Sequence, residues 1–119
     1  MKFITDRMHG ILDYAVVIIF ALAPSLMGID GPSAWICYLL AAVHLAMTVL
    51  TDMPLGVVKA VPLKLHGFVE LIVALALIAV AWIFAQLQSG QLFFTLMGAV
   101  IFFVWVSSNY GDAKRRIPA

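Results

Sequence analysis

His9 and Asp13 stand four residues apart, and so do His66 and Glu70. Side chains at i and i+4 share one face of an α-helix, so each imidazole would lie beside a carboxylate one turn on. The two pairs sit in copies of one motif, Arg7-Met8-His9-Gly10-Ile11-Leu12-Asp13 and, 57 residues on, Lys64-Leu65-His66-Gly67-Phe68-Val69-Glu70. Three kinds of chemistry suit such groups. Imidazole and carboxylate are competent ligands for Zn, Fe or Mn. Histidines at one depth on facing helices, here His9 and His66, can hold haem from both sides. Chains of acids and imidazoles carry protons, because histidine titrates near neutrality. The alternative is architectural: each pair neutralises itself and pins helices together. The chain has neither the Glu-x-x-His of di-iron bundles nor a His-Glu-x-x-His, so no particular metal is named.

The elements that position these groups are read from composition. Of the 119 residues, 65% are hydrophobic and 11% charged, against about 25% charged in a soluble domain. Apolar stretches run roughly over residues 10–27, 34–50, 68–87 and 92–106, each near the ~20 residues that an α-helix needs to cross a bilayer. Four spans nearly fill the chain, which makes it one all-α, polytopic membrane domain over residues 1–119. A soluble catalytic domain has no room, so any activity belongs inside the bundle or on its rims. The seven basic residues, Lys2, Arg7, Lys59, Lys64, Lys114, Arg115 and Arg116, all fall on one side if the spans alternate. By the positive-inside rule that side is cytoplasmic, with both termini there. The basic end is a topology signal that also touches anionic lipid, and no nucleic-acid partner is expected.

Depth then groups the titratable residues. His9 and Asp13 open span one, and His66 and Glu70 open span three. His44 lies seven residues before Thr51, the inner end of span two, or about 10 Å inside it at ~1.5 Å per residue. All five occupy the cytoplasmic half. A charge at mid-bilayer costs at least ~2.5–3.5 kcal/mol on insertion scales, so these side chains should face the interior and pair. His44 should bond Thr48 or an acid across the bundle. At the inner rim Asp52 can pair with Arg7 or Lys64. These residues form the candidate site for a proton, an ion or a small ligand, with haem, quinone or a transition metal as redox alternatives. An accessory role without chemistry is the third reading. Transport would need a homo-oligomer, since four short helices leave little room for a private pore.

The duplication continues beyond the motif. Adding 57 places Leu39 on Leu96, Ala42-Val43 on Ala99-Val100, Val49 on Val106 and Thr51-Asp52 on Ser108-Asn109. Two helical hairpins, about residues 5–56 and 62–112, are expected to share an orientation about a pseudo-twofold axis along the membrane normal. The order His-Gly-x-x-Asp-Tyr, apolar run, Pro-containing turn, second helix and Thr-Asp-x-Pro-Leu-Gly resembles the SPW-repeat proteins, small integral proteins of the bacterial inner membrane. Their Ser-Pro-Trp position reads Ala23-Pro24-Ser25 in one half and Val80-Ala81-Trp82 in the other. The resemblance implies two transmembrane helices per repeat and no activity.

Local signals complete the expectations. Thr5 and Asp6 offer caps for helix one, Asp30-Gly31-Pro32-Ser33 a tight outer turn, and Ser33 a cap for helix two. Helix three should run to about Leu87 and turn at Gln88-Ser89-Gly90. The Met53–Leu63 connection, rich in Leu and Val, should lie on the bundle or membrane surface. Thr51-Asp52 and Ser108-Asn109 read as helix-end and turn formers, and Gly10, Gly67, Ala41-Ala42 and Gly98-Ala99 as close helix contacts. Trp35 and Tyr38 should lie near the outer interface, and Trp82, Phe84, Trp105 and Tyr110 fit interfacial belts. Cys37 reads as packing, since one thiol has no internal partner.

Overall fold

A computed structural model describes residues 2–108 and Tyr110; Asn109 and the basic Lys114-Arg115-Arg116 lie outside the described residues. Four long helices follow one another: α1 (Asp6–Met27), α2 (Gly31–Val49), α3 (Leu63–Ile83) and α4 (Gln91–Ser107). Among the described residues these are long and apolar enough to cross a membrane, the fourth counted with the 3₁₀ turn (Ala85–Gly90) that leads into it. The outside of the molecule is apolar, with Ile18, Leu26, Trp35, Leu39, Leu75, Trp82, Leu96 and Phe103 exposed on its flanks, while the charge-bearing His9, Asp13, His66 and Glu70 are buried. That arrangement suits lipid and would be unstable in water.

Helix ends follow local chemistry. Thr5 is the N-cap of α1, its hydroxyl accepting from the Met8 N–H at 3.2 Å. Gly28, at φ +68°, closes the helix, and the Ile29 N–H reaches back to the Pro24 carbonyl at 3.2 Å. A left-handed residue at this position favours glycine. The next helix starts earlier than its sequence suggests. Gly31 and Pro32 already belong to α2, whose N-cap position is Asp30; Ser33 caps nothing and is buried. Pro in the first turn forfeits no helical hydrogen bond, which lets α2 start there.

Helix α3 stops at Ile83 rather than Leu87, because Phe84 is extended and the chain tightens into the 3₁₀ turn. Gln91 stabilises that break by donating its side-chain amide to the Ala81 carbonyl at 3.0 Å. Ser89 in the same turn accepts from the Asp30 N–H and donates to the Asp30 carbonyl, at 3.2 and 3.1 Å, which ties the two outer loops together.

At the other end the backbone does the positioning. The connection after α2 folds back on it: Val57 and Val58 donate to the Val49 carbonyl, Ala60 and Val61 to the Leu50 carbonyl. The Lys59 ammonium holds the Met53 and Gly56 carbonyls. The last carbonyls of α2 are thereby satisfied without water, and Met53 is fully buried. Thr51 pairs with Val61 in a parallel bridge, which brings the end of α2 beside the start of α3. Ile4 pairs with Ser108 in the same manner, bringing the end of α4 beside the start of α1. Above this layer an apolar core of Phe20, Cys37, Ala74, Leu77, Phe93 and Phe94 fills the bundle, with Phe20 edge-on to Phe93 at 5.4 Å.

Candidate functional site

The two bridges place a hydroxyl beside each motif histidine. His9 Nδ1 lies 2.8 Å from the Ser108 hydroxyl, and His66 Nδ1 lies 2.6 Å from the Thr51 hydroxyl. Both hydroxyls also contact a carbonyl one turn back, Ser108 that of Val104 and Thr51 that of Met47. A carbonyl has no hydrogen to give, so each hydroxyl spends its single hydrogen there. It follows that each Nδ1–H is the donor to the hydroxyl oxygen. In a neutral ring the lone pair then sits on Nε2.

Both Nε2 atoms face the acids. His9 Nε2 is 2.8 Å from Glu70 Oε1 and 3.2 Å from Asp13 Oδ2. His66 Nε2 is 3.0 Å from Asp13 Oδ2 and 3.4 Å from Glu70 Oε1. The shorter contact of each ring thus crosses between α1 and α3 instead of following the i, i+4 spacing. These contacts are close but off axis, since neither Nε2 nor Asp13 Oδ2 has a partner in hydrogen-bonding geometry. One ligand atom from each of the four residues lies within 4.8 Å of every other. A tetrahedral ion with bonds of ~2.0–2.2 Å separates its ligand atoms by about 3.3–3.6 Å; the contacts of 3.2 and 3.4 Å approach that range, and those of 2.8 and 3.0 Å are shorter.

Each acid is supported from outside the group. His44, on α2, places Nε2 3.3 Å from Asp13 Oδ1, while the Thr48 hydroxyl is taken up by the His44 carbonyl. The Tyr110 hydroxyl donates to Glu70 Oε1 at 3.4 Å, and its ring lies edge-on to His9 at 5.5 Å. Burial, with the Glu70 charge close by, holds the Tyr110 phenol well above its usual range. Gly67 makes room for it, because a Cβ there would stand 2.7 Å from the Tyr110 ring. Gly10 is likewise covered by Leu55. Tyr110 therefore belongs to the site and not to an interfacial belt. Thr51 and Ser108 are more than turn formers, since they orient the two rings.

All five predicted residues, His9, Asp13, His44, His66 and Glu70, meet in one place. The rim residues Arg7, Asp52 and Lys64 are not among the four converging groups; Asp52 and Lys64 are engaged in interactions of their own. Haem does not fit the geometry. The His9 and His66 ring centroids are 5.4 Å apart, and the carboxylate oxygens occupy the space a macrocycle would need. The cavity bordering the group measures about 30 Å³. Cys37 is buried in the core cluster, consistent with packing.

No protein-family model, no curated protein and no solved structure matches this chain.

Proposed function

We propose that this chain is a small integral membrane protein that encloses one divalent transition-metal ion, with His9 Nε2, Asp13 Oδ2, His66 Nε2 and Glu70 Oε1 as ligands. The observation that carries the reading is the orientation of the two imidazoles. With each Nδ1–H committed to a hydroxyl, two Nε2 lone pairs face two carboxylates at 2.8–3.4 Å, which is repulsive unless positive charge lies between them. Two added protons would also supply it, though only through bent ion pairs, since the oxygens lie off each N–H axis. An ion at the centre satisfies all four atoms together. Two neutral imidazoles, two carboxylates and a divalent cation also sum to zero charge, as a buried site in a membrane requires. Two nitrogens and two hard oxygens suit Zn, Fe or Mn, and a His ligand fixed through Nδ1 is the usual support of such an ion.

Two further proposals complete this reading. The halves are related by a pseudo-twofold axis along the membrane normal. In support, the His9–Ser108 and Ile4–Ser108 contacts become His66–Thr51 and Val61–Thr51 when 57 is added in the first partner and subtracted in the second. Both termini face the cytoplasm of a bacterial inner membrane, in keeping with the one-sided basic residues and with the motif resemblance to the SPW-repeat proteins.

Elemental analysis of the detergent-purified protein tests the metal. About one Zn, Fe or Mn per chain is expected after loading and desalting, falling below a tenth in the His9→Ala, His66→Ala double variant. Less than a tenth of an ion per wild-type chain, or equal metal in the double variant, refutes the reading.

A further inference from the structure

One member of the cluster has no counterpart in the other half. Adding 57 to His44 gives Ile101, so this imidazole serves one side only. It holds Asp13 by Oδ1, the oxygen other than the one that faces His9 and His66, and is therefore a positioning residue. Its side chain is 12% exposed, against 5% or less for the four converging residues. It lines a cavity of about 30 Å³, whose wall also includes His66, Glu70, Val43, Met47 and Ile101.

Three features of this cavity point the same way. Two of the four converging residues border it, His66 and Glu70, and theirs is the longest of the four nitrogen–oxygen contacts at 3.4 Å. The volume of about 30 Å³ holds two or three waters at most, since each needs ~10–15 Å³. Apart from His44, His66 and Glu70 its wall is apolar, which disfavours an anion and admits a neutral molecule. Structural metal sites are closed, whereas reactive ones keep a position for an exogenous ligand.

Resting on the metal reading, we infer that the cavity is an open coordination position, which admits one uncharged molecule of two or three atoms to the ion across the His66–Glu70 edge. The ligand class is water or a diatomic gas. Expansion from four to five ligands needs no protein group to leave.

Nitric oxide is the probe, because it is neutral and diatomic and gives ferrous iron a spin-3/2 signal in electron paramagnetic resonance. Protein in lipid nanodiscs is loaded anaerobically with Fe(II), its iron content measured, and nitric oxide added. The expected result is one adduct per iron in the wild type and at least a tenfold loss in Val43→Phe at unchanged iron content. Val43 is half exposed on the outer face of α2, so the larger ring can fill the mouth of the cavity without entering the core. An iron-loaded wild type that forms no adduct overturns the inference by itself, as does a Val43→Phe protein that forms as much as the wild type; in both cases metal binding stands. A protein that takes up neither iron, zinc nor manganese removes the metal reading and this inference with it.

Discussion

Removing the hydroxyls of Thr51 and Ser108 separates a metal centre from a set of ion pairs. Thr51→Val keeps the shape of the side chain and Ser108→Ala shortens it by one atom, and each deletes the acceptor of one Nδ1–H, at 2.6 and 2.8 Å respectively. A buried donor left without a partner costs about 1–3 kcal/mol, so each variant should unfold earlier even without metal. The orienting role adds a second effect. Loss of a group that holds a ligating histidine weakens metal binding about 10–100-fold, equivalent to about 1.4–2.8 kcal/mol at 1.4 per tenfold. Because His9 and His66 face the same two oxygens, Thr51→Val and Ser108→Ala should weaken binding by similar factors. If both rings share one ion as proposed, the double variant should depart from additivity. Thr51→Ser, which keeps the hydroxyl, should stay near the wild type. Competition of the loaded protein with a chromophoric chelator reads the affinity, and thermal unfolding in the same detergent reads stability. Variants that lose stability yet compete for metal as the wild type does would refute the orienting role.

The two acids should differ. Asp13 is contacted by three imidazoles, at 3.0, 3.2 and 3.3 Å, and Glu70 by two. Asp13→Asn and Glu70→Gln should both abolish stoichiometric metal in elemental analysis, but Asp13→Asn should cost more metal-free stability, toward the ~3–5 kcal/mol lost when a buried pair is broken. Gly67→Ala drives a Cβ to within 2.7 Å of the Tyr110 ring, whereas Gly10→Ala meets the Leu55 side chain at 3.0 Å. The first should lose about 1–3 kcal/mol in thermal unfolding, as overpacking does, and the second clearly less. Stripping the metal with a chelator should lower the unfolding temperature, the lost stabilisation being about 2.7 kcal/mol if free metal had stood at 100 times its dissociation constant. Cys37, fully buried, should resist maleimide in detergent and react once the protein is unfolded.

Depth was legible in the sequence and rotation was not. Hydropathy places four spans, and the count of residues along each puts His9, Asp13, His44, His66 and Glu70 at one level. The i, i+4 spacing predicts His9 with Asp13 and His66 with Glu70, yet the shorter contacts cross between helices. Which neighbour a side chain meets depends on helix packing, which spacing within one helix does not encode. The supporting hydroxyls were missed for a related reason. Thr51 and Ser108 read as helix ends, and what aims them inward is the pairing of Thr51 with Val61 and of Ile4 with Ser108, made by short extended segments with no periodicity of their own. The signal that could have found them was present, because Thr51 and Ser108 are themselves 57 residues apart. Tyr110 escaped because an aromatic residue after a span usually marks an interface; only the bare backbone of Gly67 gives it a way in.

Charge balance explains why the polar groups are of these types. Two carboxylates in the bundle require two positive charges close by, and the nearest basic residues in sequence are Arg7, two before His9, and Lys64, two before His66. Positions i and i+2 point to different sides of a helix, so the base of each motif is turned away from its own acid while the histidine faces it. A permanent cation in that place would have closed the site with an ion pair. Imidazole leaves the balance to be completed from outside the chain, and in the metal proposal a hydroxyl on each Nδ1 selects the ligating form. His44 has no like residue 57 positions on, where Ile101 stands. If both halves carried it, Asp13 and Glu70 would have equivalent support; with Ile101 in the second position the outer oxygen of Asp13 is held by a ring and Glu70 is reached by the Tyr110 hydroxyl instead. Placing a like residue there, in Ile101→His, should therefore put a third imidazole in the wall of the cavity, beside Glu70. Metal content would stay at one per chain, and the nitric oxide adduct would be lost because the position is filled from within. Retention of the full adduct in that variant would mean that the cavity and the ion are not connected.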